Sequence, residues 1–161
     1  MAIRIGFGYD VHAFASNRPL VLGGIPIPFT QGLSGHSDAD ALIHAVVDAL
    51  LGAAALGDIG SHFPSHDERW QNAPSSVFLD YTRDFLCQHS WKISNIDATI
   101  VAERPKLAPY IQAMRTHLGE HLDLQIEQIS VKATTTDGLG FSGRQEGIAC
   151  YAVALIESQD R

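Results

Sequence analysis

The segment SDADALIHAVVDALLGAAALGDIG, residues 37–60, decides the fold because it encodes the clearest helix in the chain. Ser37, followed three positions later by Asp40, matches a common helix start signal, and a run rich in Ala, Leu and Val follows. After the first turn the only polar side chains are His44 and Asp48. A helix with so little polar surface is buried on nearly all sides, so we expect the rest of the chain to pack around it.

Both ends of this helix carry further signals. We predict that it ends after Leu56, with Gly57 as the C-cap. Asp58 then either starts a turn or faces a ligand, and the sequence alone leaves both interpretations open. At the other end, residues 35–37 lie where free N–H groups and the helix dipole favour an anion. Because two aspartates in the same turn repel an anion, a metal or His36 has to assist its binding.

Strand-like segments lie on both sides of the helix in the sequence. Residues 3–12 alternate between apolar and polar side chains, which is typical of a half-buried strand. Gly23 and Gly24 separate two short strand-like segments and provide the turn of a hairpin. Further strands are predicted at residues 96–102, 129–133 and 148–156, and further helices at residues 75–89 and 109–121. This alternation predicts an α/β (α+β) fold, with a mixed four-stranded sheet covered on one face by helices and a small N-terminal hairpin.

Length and composition narrow the class of protein. With 161 residues, 45% of them hydrophobic, the chain is expected to form one domain, residues 1–161. Its net charge of −7 argues against nucleic acid or an anionic membrane as the main partner. No apolar run approaches the roughly 18 residues of a membrane span, and a strand pattern from Ile3 leaves no room for a targeting peptide, so a cytoplasmic location is expected. Cys87 and Cys150 show no paired spacing and are interpreted as reduced structural thiols.

Three residues form a candidate metal site. Asp10 and His12 are two apart in a predicted strand, so their side chains share one face with backbones about 7 Å apart. His44 is a polar residue in an otherwise apolar helix, and three protein ligands with one open position are typical of catalytic zinc. Asp40 and Asp48 lie one turn on either side of His44, and either could orient its ring. Spacing alone leaves open that His44 is a core histidine and the strand pair an ordinary strand edge.

A second candidate site lies in KATTTDGLGFSGR, residues 132–144. Hydroxyls and backbone amides of such a turn can hold phosphate oxygens, and the carboxylate of Asp137 can hold a hard cation such as magnesium. The segment lacks the Walker pattern of nucleotide-binding loops. An ordinary glycine-rich turn remains the alternative interpretation.

Several motifs together carry a family resemblance. They are GYDVHAF (8–14), GHSDAD (35–40) with His44, LGDIG (56–60), KATTT (132–136) and GFSGR (140–144). In this order and over nearly the whole chain, they closely resemble the 2-C-methyl-D-erythritol 2,4-cyclodiphosphate synthase family. The resemblance implies a phosphorus-oxygen lyase of the non-mevalonate isoprenoid route. Such an enzyme converts 4-diphosphocytidyl-2-C-methyl-D-erythritol 2-phosphate to the cyclic diphosphate and CMP through attack of the substrate's own 2-phosphate on its β-phosphorus.

The same resemblance assigns roles to individual residues. It implies zinc, or another divalent transition metal, on Asp10, His12 and His44, and magnesium or manganese on Asp137. The implied catalytic residues are His36, Thr135 and Asp58. The implied substrate contacts are Asp10, His12, His36, Ser37, Asp58, Ile59, Gly60, Phe63, Asp67, Ala102, Pro105, Lys106, Leu107, Ala108, Thr134, Thr135, Thr136, Asp137, Phe141 and Arg144.

The resemblance also concerns assembly. It implies a homotrimer whose active sites are shared between neighbouring subunits, with the cytidine pocket and the zinc ligands coming from different chains. It further implies an axial cavity, near Arg144 and Glu146, that can hold an isoprenoid-like molecule. Three positions depart from the family pattern: Asp137 stands for a common Glu, Ser65 for a frequent Asp, and Gln145 for a Gly.

Two other functions stay open at this point. A metal-dependent phosphohydrolase would use zinc to activate water, but the sequence lacks the second carboxylate cluster of a two-metal hydrolase. A zinc-stabilised scaffold protein would need a closed coordination shell, and no fourth Cys or His has a suitable spacing.

Overall fold

A computed structural model describes residues 1–159 of the chain. The strands are β1 (Ile3–Ala15), β2 (Leu20–Leu22), β3 (Ile25–Ile27), β4 (Gly32–Leu33), β5 (Trp91–Val101), β6 (Ile129–Thr134) and β7 (Gly147–Ser158). The helices are α1 (Ala41–Ala54), α2 (Ile59–His62), α3 (Ser76–Gln88), α4 (Ile111–Leu122) and α5 (Gly140–Gly143), with 3-10 turns at Glu68–Trp70, Ala108–Tyr110 and Ile126–Gln128. Each predicted strand and helix is therefore present, with small shifts at its ends.

The main sheet has the strand order β4-β1-β7-β5-β6. The β5 and β6 strands pair in parallel, and the other pairs are antiparallel. The predicted mixed sheet is confirmed, and the two-residue strand β4 adds a fifth strand at its edge. The β2 and β3 strands form the predicted hairpin, with Gly23 and Gly24 at φ +59° and +74°. Among the described residues, no helix is long and apolar enough to cross a membrane.

The close contact between α1 and β1 depends on two glycines. A Cβ atom at Gly6 would lie 1.8 Å from the carbonyl oxygen of Ala49, and one at Gly8 equally close to that of Ala45. Any side chain at these positions would therefore push the helix off the strand. The result is that α1 packs on β1 and β7 with eleven of its residues buried, as the apolar sequence predicts.

Both predicted caps of α1 are wrong. The N-cap is Asp40, whose carboxylate accepts the N–H of Ile43, whereas Ser37 lies in the preceding loop. The C-cap is Ala55, which has left-handed backbone at φ 59° and lies two residues before Gly57, so the helix ends at Ala54. The signal at Ser37 misled because both residues can cap a helix, and the choice between them depends on contacts that are distant in sequence.

Those distant contacts are made by the fully buried carboxylate of Asp40. It accepts hydrogen bonds from the backbone N–H of Gly23 at 2.9 Å and of Gly24 at 2.7 Å. Asp40 therefore fastens the hairpin turn to the start of α1. Burial, together with the nearby Asp38, raises the pKa of Asp40 to about 6 even though three N–H donors lower it.

Substituting Asp40 by asparagine is expected to remove a pH-dependent part of the stability. The pKa of Asp40 is higher in the folded state than in the unfolded chain. The carboxyl group therefore contributes most to the free energy of unfolding below about pH 4, and this contribution is lost as the pH rises through about 6. The difference in free energy of unfolding between wild type and Asp40→Asn should thus shrink between pH 4.5 and 7. Urea unfolding at several pH values measures it, and a difference that grows with pH would contradict the prediction.

The face of the sheet away from α1 carries a row of large apolar side chains. The predicted alternation in β1 is present, but its apolar residues are the exposed ones, with Ile5 at 71% and Phe7 at 62%. On the adjacent strand, Tyr151 and Val153 continue this surface, and the rings of Tyr9 and Tyr151 lie 5.0 Å apart. Contiguous exposed apolar surface of this kind is typical of an interface with another protein chain.

Candidate metal and substrate site

Three ligand atoms converge at the end of β1 and the first turn of α1. The Oδ2 atom of Asp10 lies 2.7 Å from Nε2 of His12 and 3.2 Å from Nδ1 of His44, and the two ring nitrogens are 3.3 Å apart. Ligand atoms around a tetrahedral zinc ion lie about 3.3 Å from one another. Two of the three distances match this value, and the shorter one is the ion pair between Asp10 and His12. The predicted grouping of these residues as a possible metal site is confirmed, without identifying the metal.

The packing of β1 on α1 explains this convergence. Asp10 and His12 follow Gly6 and Gly8 at every second position of β1, so their side chains point to the helix-covered face. His44 lies on α1 opposite them. The Nδ1 atom of His12 is 2.6 Å from the carbonyl oxygen of Ser34. This contact makes Nδ1 the donor and leaves Nε2 free to face the other two ligands.

The partners of His44 differ from the two that the sequence suggested. Its Nε2 atom lies 2.9 Å from Oγ of Ser75 and 3.2 Å from Oγ of Ser37, and neither Asp40 nor Asp48 contacts the ring. Asp40 binds the hairpin turn instead. Asp48 accepts the backbone N–H of Ile59 at 2.7 Å and so holds the segment after α1. One-turn spacing on a helix brings side chains near each other, but here each carboxylate has a backbone partner that satisfies it better.

The electrostatics of the cluster favour an ionised aspartate. Burial raises the pKa of Asp10, but the adjacent imidazoles of His12 and His44 outweigh burial, and the pKa lies below its ordinary value. Burial lowers the pKa of His12, but the hydrogen bond with Asp10 outweighs it and the pKa is raised. A carboxylate that stays ionised near neutral pH is a ready ligand, while a proton on the imidazole competes with a metal.

A cavity of about 270 Å³ opens beside the ligand atoms. Its lining is His12, His36, Ser37, His44, Ile59, Gly60, Phe63, Ser65, Trp70 and Phe78. Five residues predicted from the resemblance as substrate contacts, His36, Ser37, Ile59, Gly60 and Phe63, are thus brought next to the candidate metal site. The aromatic wall formed by Trp70 and Phe78 was not predicted, because their approach to Phe63, with ring centroids 5.2 and 4.3 Å away, depends on tertiary packing.

Asp58 and Asp67, which were also predicted as substrate contacts, lie outside this lining. Asp58 caps the short helix α2, with its carboxylate accepting the N–H of Ser61 at 2.8 Å, so it does start a turn. Hydrogen bonds from Ser61 lower the pKa of Asp58. The carboxylate of Asp67 pairs with Arg69 at 2.6 Å, while its backbone oxygen lies 3.0 Å from Nε2 of His36. Asp67 therefore touches the site through its backbone.

A second and larger cavity, of about 550 Å³, lies where β5 and β6 end. Its lining is Ala102, Glu103, Arg104, Pro105, Lys106, Leu107, Ala108, Ala133, Thr134, Thr135 and Gln145. Seven of the predicted substrate contacts are in this set: Ala102, Pro105, Lys106, Leu107, Ala108, Thr134 and Thr135. Phe141 and Arg144 are not; Arg144 pairs with Glu146 at 2.8 Å.

Glu103 organises the turn beside the larger cavity and was not predicted from the sequence. Its Oε1 atom accepts the N–H of Thr136 at 3.0 Å and of Gly138 at 3.2 Å. The carboxylate of Asp137 projects from this turn and accepts one hydrogen bond, from the hydroxyl of Thr135 at 3.3 Å. No sequence pattern links Glu103 to a turn more than thirty residues away.

The two cavities have no lining residue in common, although both lie at the same end of the sheet. His12 pairs with Ile148 on β7, and Val101, at the end of β5, pairs with the next residue, Ala149.

Comparison with known proteins then identifies the group to which this fold and these motifs belong. The model of the YgbB family matches residues 3–157.

The chain belongs to the YgbB family. Curated relatives support this assignment over their full length. A protein of Syntrophobacter fumaroxidans named 2-C-methyl-D-erythritol 2,4-cyclodiphosphate synthase is 54% identical over 159 residues, which cover 99% of this chain and 100% of the relative. A Clostridium perfringens protein of the same name is 53% identical, and the match covers 96% of this chain and 99% of the relative.

Solved structures agree with this family fold. The bifunctional IspDF of Campylobacter jejuni superimposes with a TM-score of 0.95 at 44% identity, covering 99% of this YgbB-family chain and 43% of the longer protein. IspF of Plasmodium falciparum, described as a CDP complex, superimposes with a TM-score of 0.87 at 33% identity, covering 99% and 98% of the two chains. The family resemblance stated from the motifs is thereby confirmed, and the chain belongs with enzymes named as cyclodiphosphate synthases.

Proposed function

We propose that this protein converts 4-diphosphocytidyl-2-C-methyl-D-erythritol 2-phosphate to 2-C-methyl-D-erythritol 2,4-cyclodiphosphate and CMP, as a lyase of the non-mevalonate isoprenoid route in the cytoplasm. The observation that carries the proposal is the convergence of Asp10, His12 and His44 beside a cavity that also contains His36 and Ser37. The names of full-length relatives supply the reaction class.

In the proposed reaction an oxygen of the 2-phosphate attacks the β-phosphorus, and the bond to the oxygen bridging the α- and β-phosphorus breaks. CMP leaves with that bridging oxygen, and no water is consumed. Because the nucleophile belongs to the substrate, the protein has only to align two phosphates and neutralise their charge. Nothing in this scheme requires a nucleophilic side chain.

Charge neutralisation falls to two groups of residues. Asp10, His12 and His44 would hold zinc, and Asp137 would hold magnesium or manganese, which as Lewis acids withdraw charge from phosphate oxygens. His36 and Thr135 would donate hydrogen bonds as charge develops. The position of His36 supports its role, because it lies in the lining of the cavity next to the three ligands.

Substrate binding divides between the two cavities. The larger cavity, which has Lys106 in its lining, would take the cytidine. The CDP complex described for the Plasmodium falciparum relative supports a cytidine nucleotide as the substrate. The smaller cavity would take the erythritol, with Asp58 and the backbone of Ile59 and Gly60 at its hydroxyls. The apolar walls around Phe63 fit the methyl-bearing carbon skeleton.

A trimer would bring the two halves together. The exposed apolar face around Phe7 and Val153 supports assembly through the sheet, because isolated chains rarely leave such a surface in water. The lack of a shared lining residue supports a site built from two neighbouring chains. An axial cavity near Arg144 and Glu146 would then be a place for an isoprenoid-like molecule.

Product analysis tests the proposal. The purified protein with zinc and magnesium is expected to release equal amounts of CMP and cyclic diphosphate, as measured by 31P NMR, and a chelator is expected to stop the reaction. Release of linear phosphate would instead favour the phosphohydrolase. Unfolding by the chelator, measured by circular dichroism, would favour the scaffold protein.

A further inference from the structure

The imidazole of His44 is connected to a buried serine and a carboxylate from two other parts of the chain. Ser75, the fully buried residue before α3, places its Oγ 2.9 Å from Nε2 of His44. The hydroxyl of Ser75 also donates to Oδ1 of Asp38, and its backbone N–H donates to Oδ2 of Asp38 at 2.8 Å. In the sequence, Ser75 is 31 positions from His44 and 37 positions from Asp38.

The number of available protons fixes the direction of each hydrogen bond. A serine hydroxyl has one proton, and an ionised carboxylate can only accept. The hydroxyl of Ser75 therefore donates its only hydrogen bond to Asp38, and Oγ of Ser75 can only accept a hydrogen bond from His44. When a metal takes the lone pair on Nδ1, the nitrogen that faces Asp10 and His12, the imidazole carries its proton on Nε2, where the oxygen of Ser75 accepts it.

The surroundings hold this chain of bonds in place. Asp38 accepts a further hydrogen bond from the backbone N–H of Asp40 at 3.1 Å, so the carboxylate is fixed at the start of α1. Ser37 lies 3.2 Å from the same nitrogen of His44 and is a second acceptor for its proton. The corresponding partner of His12 is the backbone oxygen of Ser34, which no substitution removes directly. Of the two imidazoles, His44 is thus the one oriented by side chains.

We propose that Asp38 and Ser75 form an outer relay that holds His44 in its Nε2–H tautomer and so raises the affinity of Asp10, His12 and His44 for a divalent transition metal. This inference rests on the metal role of that trio in the proposed function. Ser75 is a positioning residue, since it acts through His44. Partners of this kind typically change metal affinity by about 10- to 100-fold when removed.

Metal affinity of matched serine variants tests the relay. Ser75→Ala removes the acceptor, whereas Ser76→Ala makes the same change one residue later, where the hydroxyl is partly exposed and outside the relay. Competition for zinc with a chromophoric chelator is expected to give a dissociation constant about 10- to 100-fold higher for Ser75→Ala and unchanged for Ser76→Ala. Equal affinity of Ser75→Ala and wild type would overturn the proposal.

The tautomer itself gives a second readout that requires no variant to fold. Long-range 1H–15N NMR on zinc-loaded wild type is expected to show His44 protonated on Nε2, and protonation on Nδ1 would overturn the proposal. The tests also distinguish failure of the relay from failure of the proposed reaction. Weaker zinc binding by Ser75→Ala in a protein that forms no cyclic diphosphate would leave the relay standing and reject the proposed reaction, whereas unchanged binding in an active enzyme would reject the relay alone.

Discussion

Replacing His44 by alanine is expected to abolish binding of the proposed zinc and to lower turnover by about a thousandfold or more. Two remaining ligands cannot hold the ion against solvent, and losing a Lewis acid that stabilises phosphate charge costs several kcal/mol of barrier, with each 1.4 kcal/mol worth about tenfold. The fold should persist, because alanine favours the helix that carries this position. Zinc per chain by atomic emission, with turnover measured in parallel, checks both parts.

A second histidine provides the control for His44→Ala. His89 lies at the exposed end of α3 and outside both cavities, so His89→Ala should keep zinc and turnover. Circular dichroism of the two variants separates loss of metal from loss of fold. A His44→Ala protein that is folded and still holds one zinc per chain would refute the ligand assignment.

Substituting Val153 by aspartate is expected to dissociate the proposed trimer and to reduce turnover by at least about 100-fold. Val153 is 43% exposed in the middle of the apolar sheet face and pairs with Phe7 on one side and Asp97 on the other. A new charge there would be buried in the interface next to the carboxylate of Asp97, which already takes the nearby cation of Lys132, and this is costly. Separated chains would keep both cavities, but the cytidine and zinc halves of each shared site would no longer meet.

Val77 offers a matched control for this prediction. It is an equally sized residue, 37% exposed, on α3 and outside both cavity linings. Val77→Asp should elute at the mass of wild type and retain activity, whereas Val153→Asp should elute near the 17.5 kDa of one chain. A Val153→Asp protein that is both trimeric and fully active, or a wild type that is active as a monomer, would contradict the shared site.

Local sequence patterns were enough to predict most of the fold. The apolar run of α1 and the diglycine hairpin carry their own conformational preferences, and both are found as predicted. The side to which β1 turns its large residues was not predictable in the same way. Alternation gives the period of a strand but not which face meets the helix, and here the close approach of Ala45 to Gly8 places the small residues inside.

The candidate site shows the same division between local and distant information. Asp10 and His12 are two positions apart and His44 stands out in its helix, so the trio could be recognised from spacing and then strengthened by the family resemblance. Ser75 and Glu103 could not be recognised. Each acts on a segment more than thirty residues away, and only the folded chain brings these groups together.

The origin of the oxygen atoms in the products tests the central claim most directly. If the 2-phosphate attacks the β-phosphorus within one substrate molecule, the reaction in water enriched in 18O is expected to give CMP and cyclic diphosphate without any added 18O. A metal-activated water would instead transfer its oxygen to phosphorus. Incorporation of 18O into either product, detected by mass spectrometry, would contradict the intramolecular cyclisation proposed for this protein.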